Sequence, residues 1–578
     1  MWQSVFGSLL KLLEATFELL VPFIVALIVD EGLGAFVEGA GYPYADKGYI
    51  VAMCGVLALF GLIGLAFSVT AQYFSARVAT GVSARVRSAV FKKLQSLSYK
   101  DLDNMGEATM LTRMTSDVDK MQTGINLFLR LLLRSPFIVF GAWICAWVID
   151  SQSFWVFGFS ILVLAIVVYA VMFACMPLYK KAQEKLDKVL LSTRENLMGA
   201  RVLRAFCKED SERDLFDKRN EALNKERKFV GGIGAITNPL TFIIVNIAII
   251  ILLYTSGLRV ESGALSQGKV IALYNLMGQI LIELIKLANL IVTVTKAVAS
   301  AERIESVLKM QSSLQIVEDG GRDEMKEALQ WGEEMISFEK VSAKYIEGAE
   351  NALEEISFSL NKGETLGVIG GTGSGKTTLI HLIPHFYDVR TGVVKVNGEN
   401  VQNRSMQRYL REKIAIVPQR AQLFKGTVRS NLLWGKPTAT EEELWQALRI
   451  ARAEDFVKEK GGMDAMIEQA GKNLSGGQRQ RLCIARALVR QSDVLILDDA
   501  SSALDYATDA ELRKGIKELN TTVVIVSQRA SSVRDADKII VLDEGKMVGI
   551  GTHEELMQSC KVYQEIYFSQ YEEGGQTA

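Results

Sequence analysis

Three runs of this chain, Tyr49–Ala76, Phe154–Tyr179 and Phe229–Leu258, contain no charged residue. Coiled as helices they are long enough to cross the roughly 30 Å of hydrocarbon in a bilayer, and they read as membrane-spanning. Leu19–Val29, Ser135–Ile149 and Val270–Ser300 bring the number of apolar stretches to six, although Glu14, Glu18, Arg130 and Arg134 stand beside them and Glu283 and Lys286 inside the last. Between the second and third stretches lie Arg77, Arg85, Arg87, Lys92, Lys93, Lys100, Arg113 and Lys120, and basic residues recur from Lys180 to Lys228. The opposite connections carry chiefly Lys47 and Arg259, so the positive-inside bias predicts both termini and both long connections in the cytoplasm. The first apolar helix has neither a basic leader nor a small-residue cleavage site. Little room precedes Leu19 for an amphipathic lead-in helix.

Lys and Arg number 65 against 66 Asp and Glu, a balance that points away from nucleic acid as a partner. The six cysteines are scattered without a Cys-x-x-Cys pair and read as small buried hydrophobes, not as a zinc or disulfide framework.

Glu302, Arg303, Glu305 and Lys309, then Gln311-Ser312-Ser313, lead out of the membrane-like half. The expected organisation is a membrane domain over 1–305, a linker over 306–330, a soluble domain over 331–570 and a tail over 571–578. Short apolar runs at Thr365–Ile369, Ile414–Val417, Val494–Leu497 and Thr522–Val526 alternate with helical stretches, which predicts an α/β fold. After the first of these runs comes Gly370-Gly371-Thr372-Gly373-Ser374-Gly375-Lys376-Thr377, a phosphate-binding loop in strand–loop–helix context. Its backbone N–H groups can close around phosphates, Lys376 supplies a point charge, and the Thr377 hydroxyl suits Mg²⁺. Asp498, ending the run Val494–Leu497, is the acidic partner such a metal needs.

With Leu474-Ser475-Gly476-Gly477-Gln478 added to these landmarks, the chain resembles an ABC transporter half-unit of the exporter type, six membrane helices fused to one nucleotide-binding domain. The likeness covers nearly the whole chain and includes Tyr345, Val417-Pro418-Gln419 and Ser502-Ala503-Leu504-Asp505. It implies ATP and Mg²⁺ as cofactors. Tyr345 is then the adenine-stacking residue, while Gly370, Thr372, Gly373, Ser374, Gly375, Lys376, Thr377 and Thr378 hold phosphates. Thr377, Gln419 and Asp498 serve the metal. In the family, two such domains pair head to tail, so Ser475, Gly476, Gly477, Gln478 and Asp505 complete the ATP site of a partner. Short coupling helices are expected within Ser98–Lys120 and around Phe206–Asp214.

At two positions the chain departs from the family pattern: Asp499 stands where glutamate follows the acidic strand, and Ser527-Gln528-Arg529 where a switch histidine is expected. The histidines, His381, His385 and His553, lie elsewhere. Asp499 reaches about one C–C bond short of glutamate, and losing a positioned general base typically costs 10²–10⁴-fold, roughly 3–5 kcal/mol of barrier. Gln528 can hydrogen-bond a γ-phosphate but cannot relay a proton. The resemblance is thus to the degenerate-site subunit of bacterial heterodimeric multidrug exporters, with a different half-transporter supplying glutamate and histidine at the second site.

Glu283 and Lys286, one turn apart in the last span, are expected to face the bundle interior, either as a structural ion pair or as contacts to cargo. Trp143, Trp147, Trp155 and Phe159 read as interfacial anchors. The leading expectation is ATP-driven export of amphiphilic small molecules across a bacterial cell membrane. The alternatives are a dedicated lipid, peptide or small-thiol exporter and a nucleotide-gated regulator or channel.

Overall fold

Long helices build the first half of the chain. The computed structural model describes residues 2–33, 46–317, 333–345 and 350–572. Helices α1 (Trp2–Leu27), α2 (Lys47–Gln95), α3 (Tyr99–Met105), α4 (Glu107–Thr112), α5 (Val118–Leu131), α6 (Arg134–Ile149), α7 (Ser153–Met198), α8 (Ala200–Ala205), α9 (Glu209–Glu261) and α10 (Gln267–Lys309) follow one another. Among the described residues six helical segments are long and apolar enough to cross a membrane: Trp2–Leu33, Lys47–Gln95, Glu107–Ile149, Ser153–Met198, Glu209–Glu261 and Gln267–Lys309. Each contains one of the six apolar stretches. The 49 residues of α2 rise roughly 70 Å, more than twice the hydrocarbon thickness, so its charged C-terminal half continues into water.

Helix α1 starts at Trp2, well ahead of Leu19, so a helical lead-in exists where little room was expected. It can continue past its charges because Lys11 and Glu14 pair one turn apart at 2.5 Å, with Lys11 buried. Leu19, Ile138, Ala142, Phe157, Leu164, Leu252, Leu273, Met277 and Ile280 form the apolar core of this half, drawn from α1, α6, α7, α9 and α10. A side chain at Gly124 would place its Cβ 2.1 Å from that of Ala297, so α5 and α10 approach as closely as they do only with glycine there.

The chain divides into two compact units, Met1–Gln95 with Glu107–Met310, and Ser96–Gly106 with Gln311–Ala578. Thus α3 belongs to the second unit. It begins with a capping box, in which Ser98 Oγ accepts from Asp101 N (3.1 Å) and Asp101 Oδ2 accepts from Ser98 N (3.2 Å), and it stops at Gly106, whose φ is +75°. The second short helix lies at Ala200–Ala205, earlier than the expected Phe206–Asp214. Cys207, at φ +51°, breaks the chain direction, and Glu209, Asp210 and Glu212 then favour the N-terminal dipole of α9. Helix α10 continues past residue 305 to Lys309. Of the expected linker and tail, residues 318–330 and 573–578 lie outside the described residues.

The second unit contains β1 (Glu334–Ala343), β2 (Leu353–Asn361), β3 (Thr365–Gly370), β4 (Thr391–Val396), β5 (Glu399–Asn400), β6 (Ile414–Val417), β7 (Gly426–Thr427), β8 (Met466–Ile467), β9 (Val494–Asp498), β10 (Thr522–Val526), β11 (Lys538–Asp543) and β12 (Lys546–Gly551). One sheet runs β12-β11-β3-β10-β9-β6, parallel except for the β11–β12 pair, and an antiparallel sheet runs β2-β1-β4-β5. Strands β3, β9 and β10 are apolar on both faces, as covered parallel strands must be. β3 and β9 are separated only by β10, so the loop after β3 and the last residue of β9, Asp498, share the carboxyl edge of the sheet where ligands of such folds bind.

Candidate nucleotide site and membrane charge cluster

β3 delivers its loop to the helix Lys376–Leu382. Two glycines are required by geometry: a Cβ at Gly370 would lie 2.1 Å from the Leu542 carbonyl oxygen, and Gly375, at φ +95°, would bring one to 2.5 Å from that of Ala352. Thr372 and Gly373 form the exposed tip, whereas Ser374 and Lys376 are buried. Lys376 Nζ donates to the carbonyls of Gly370 (2.9 Å) and Gly371 (2.6 Å). Burial holds its ammonium below the ordinary lysine range, against the pull of Asp499 and Asp498.

Thr377 Oγ1 faces the Asp498 carboxylate at 3.3 and 3.5 Å. Burial pushes the Asp498 carboxyl up to about 6, and the neighbouring Asp499 adds to the rise. This hydroxyl and carboxylate are hard oxygen donors of the kind Mg²⁺ takes. Gln419 lies two residues past the end of β6, its side-chain amide close enough to Asp499 to favour that carboxylate's charged form. The residues fit the metal.

Asp499 is buried, with its backbone N–H on the Val526 carbonyl (2.9 Å) and φ at +46°. Aspartate enters that left-handed region more readily than most side chains. Burial raises its carboxyl above the usual range too. Gln528 is exposed, and among the described residues its side chain makes no hydrogen bond. Arg529 turns the other way: its guanidinium donates to the carbonyls of Leu504 (3.1 Å) and Ser502 (3.2 Å) and lies over the Tyr506 ring at 4.9 Å.

Ser475 caps the helix Gly476–Val489 through a capping box with Gln478, leaving Ser475, Gly476, Gly477 and Gln478 at the start of that helix. Asp505 caps the helix Tyr506–Lys517, accepting from Thr508 N and Oγ1, each at 2.8 Å. Among the described residues no hydrogen bond or ion pair joins Ser475–Gln478 to the phosphate loop.

Tyr345 Oη shares a hydrogen bond with Thr378 Oγ1 (2.9 Å), and its ring meets Tyr387 edge-on with centroids 5.0 Å apart. Tyr387 stacks on His381 and donates from Oη to Asp103 Oδ2 at 2.7 Å, while Tyr99 lies against Phe386 at 4.6 Å. Asp101 also accepts from Ser313 N (2.9 Å); burial opposes its charge, but the bonds from Ser98 and Ser313 hold its carboxyl below the ordinary range. This aromatic bridge to α3 was missed in the sequence, where the adjacent Phe386-Tyr387 pair was its only signal.

In the membrane domain, Glu283 is buried and accepts from Arg134 Nη1 (2.8 Å), Ser135 Oγ (2.7 Å) and Lys286 Nζ (2.7 Å). Arg134 Nη2 reaches Glu18 at 2.5 Å. The expected Glu283–Lys286 pair is therefore one edge of a cluster drawn from α1, α6 and α10. Lys286 keeps 40% of its side chain exposed, against 3% for Glu283. Trp143 Nε1 donates to the Phe154 carbonyl (2.9 Å) and stacks on the Phe154 ring, whereas Trp147 is exposed. Trp155 and Phe159 line an apolar groove of about 420 Å³ with Ile244 and Ile247.

A six-span helical domain continuous with a phosphate-loop α/β domain defines a membrane protein powered by ATP. The chain belongs to the ABC transporter family: residues 5–284 match the family model of the ABC transporter transmembrane region and residues 353–502 that described as ABC transporter. It is 34% identical to an ABC transporter ATP-binding protein of Mycobacterium bovis over 97% of this chain and 95% of that one. It is 32% identical to an ATP-dependent lipid A-core flippase of Desulfotalea psychrophila over 80% of each chain. A bacterial Atm1-family ABC exporter with ATP bound has the same fold, with a TM-score of 0.82 at 21% identity over 100% of this chain and 99% of that one. ATP hydrolysis coupled to transport across a membrane is the activity of this family, and of this chain.

Proposed function

We propose that this chain is the degenerate-site half of a heterodimeric exporter of small amphiphilic molecules, binding ATP tightly at its own phosphate loop and leaving most turnover to the second site. The observation that carries this reading is the pair Asp499 and Gln528, one a carboxylate too short and the other an amide that cannot carry a proton, at the two hydrolytic positions. The binding residues Tyr345, Lys376, Thr377, Asp498 and Gln419 are all in place. Thr377, Asp498 and Gln419 would hold Mg²⁺, which when bound neutralises phosphate charge and orients the β- and γ-phosphates. Ser475, Gly477 and Asp505, on intact helix caps, would face the partner's nucleotide. Basic residues on alternate connections support placing both termini and the soluble domain in the cytoplasm of a bacterial cell.

The test is ATPase activity of the purified chain against that of the chain co-expressed with a half-transporter carrying glutamate and histidine. The pair should exceed the single chain by about 100-fold or more; equal rates overturn the heterodimer. A second reading, transport of a lipid with a charged headgroup, is favoured by the Arg134–Glu283–Lys286 cluster and by likeness to the lipid A-core flippase.

A further inference from the structure

The helix Lys561–Glu572 packs Tyr563 against Ala530 and Val533 and reaches the switch segment with the Gln570 side chain. Gln570 Nε2 donates to the Gln528 carbonyl (2.8 Å), and Gln570 Oε1 accepts from Ala530 N (2.8 Å). One primary amide thus holds the backbone on both sides of Arg529, as a neighbouring strand would. The segment is tied from two other directions. Ser527 N donates to the Val368 carbonyl of β3 (3.1 Å), and the Arg529 guanidinium rests on the carbonyls after Asp499. Within this frame the Gln528 side chain is the free member, exposed and without a hydrogen bond of its own among the described residues. Its direction follows from its backbone, and the backbone at its own carbonyl is held by Gln570.

We propose that Gln570 is a positioning residue for Gln528, so that the C-terminal helix sets how well this site distinguishes ATP from ADP. The inference rests on the reading of Gln528 as the γ-phosphate-facing residue. ADP lacks the group Gln528 would meet, so loosening the clamp weakens ATP and spares ADP.

The experiment uses the full chain in lipid nanodiscs with Mg²⁺, measuring ATP and ADP affinities by displacement of a fluorescent nucleotide for wild type, Gln528→Ala, Gln570→Met and the double variant. Methionine keeps the length and removes both hydrogen bonds. Gln570→Met should weaken ATP about 3- to 10-fold, as expected for two partly exposed hydrogen bonds, with ADP within about twofold, so that the loss is specific to ATP whatever small drop in melting temperature accompanies it. The double variant should be no weaker than Gln528→Ala alone. If Gln528→Ala lowers the ATP preference and Gln570→Met does not, the clamp is overturned while the reading of Gln528 stands. If Gln528→Ala leaves the preference unchanged, that reading fails and the clamp with it. Equal weakening of ATP and ADP by Gln570→Met reduces Gln570 to a structural contact and also overturns the proposal.

Discussion

Tyr387 Oη donates to Asp103 Oδ2 at 2.7 Å, joining residues 284 positions apart. Burial, reinforced by Asp103, holds the Tyr387 phenol above its ordinary range, so the proton stays on the hydroxyl at physiological pH. Tyr387→Phe keeps the ring against Tyr345 and removes the bond, worth about 1 kcal/mol where one partner is exposed. Amides of α3 should exchange with deuterium roughly fivefold faster, and stimulation of ATPase by cargo should fall while ATP affinity holds. Unchanged exchange in α3 would show that the bond contributes nothing to its docking.

Asp499→Glu restores the reach that the shorter carboxylate lacks. Phosphate release by the purified chain should rise at least about 10-fold, less than the full general-base contribution because Gln528 remains. Glutamate tolerates φ +46° less well than aspartate, so a loss of about 1 kcal/mol in stability should accompany the gain. A variant no faster than wild type would place the limit elsewhere.

Asp498 carries a pH signature. Its folded pKa of about 6 lies above the value near 3.9 of an unfolded aspartate, so the folded state binds the proton more tightly. Its contribution to stability is fully present below pH about 4 and is lost as pH rises through about 6, a difference of roughly 3 kcal/mol. Without nucleotide, Asp498→Asn should therefore melt above wild type at pH 7.5, with the gap closing below pH about 4. Mg²⁺-dependent nucleotide affinity of the wild type should weaken as pH falls below about 6, where proton and metal compete for the same carboxylate.

Arg134→Met leaves Glu283 with only Lys286 and Ser135, and Glu18 without its guanidinium. Breaking a buried pair costs about 3–5 kcal/mol, and Glu283→Met alone should cost a similar amount. The double variant should be less destabilised than the sum of the two, as read from melting in detergent. Lys286→Ala, at a half-exposed position, should cost under about 1 kcal/mol. A changed response of ATPase to an amphiphile panel in that variant would mark Lys286 as a cargo contact, and an unchanged response as a purely structural ion.

What could be read from sequence follows from how local each signal is. Charge-free runs declare a span by themselves, and Gly370–Thr377 carries its chemistry within one loop. The short helix at Ala200–Ala205 was misplaced because Cys207, which breaks the chain direction, has no sequence signature of its own. Arg134 and Glu283 each stand out in the sequence as charges at a span, but their union depends on α6 and α10 meeting 149 residues apart. The Gln570 amide, on an otherwise ordinary surface helix, gave no hint of what it holds.

Since α3 packs with the nucleotide-binding unit although it lies between spans in sequence, a fragment cut at residue 331 for biochemistry would arrive without its cover. The rings of Phe386 and Tyr387 would then meet water where Tyr99 and Asp103 now shield them, and the fragment should self-associate. Adding a peptide spanning residues 96–106 should return it to a monodisperse form.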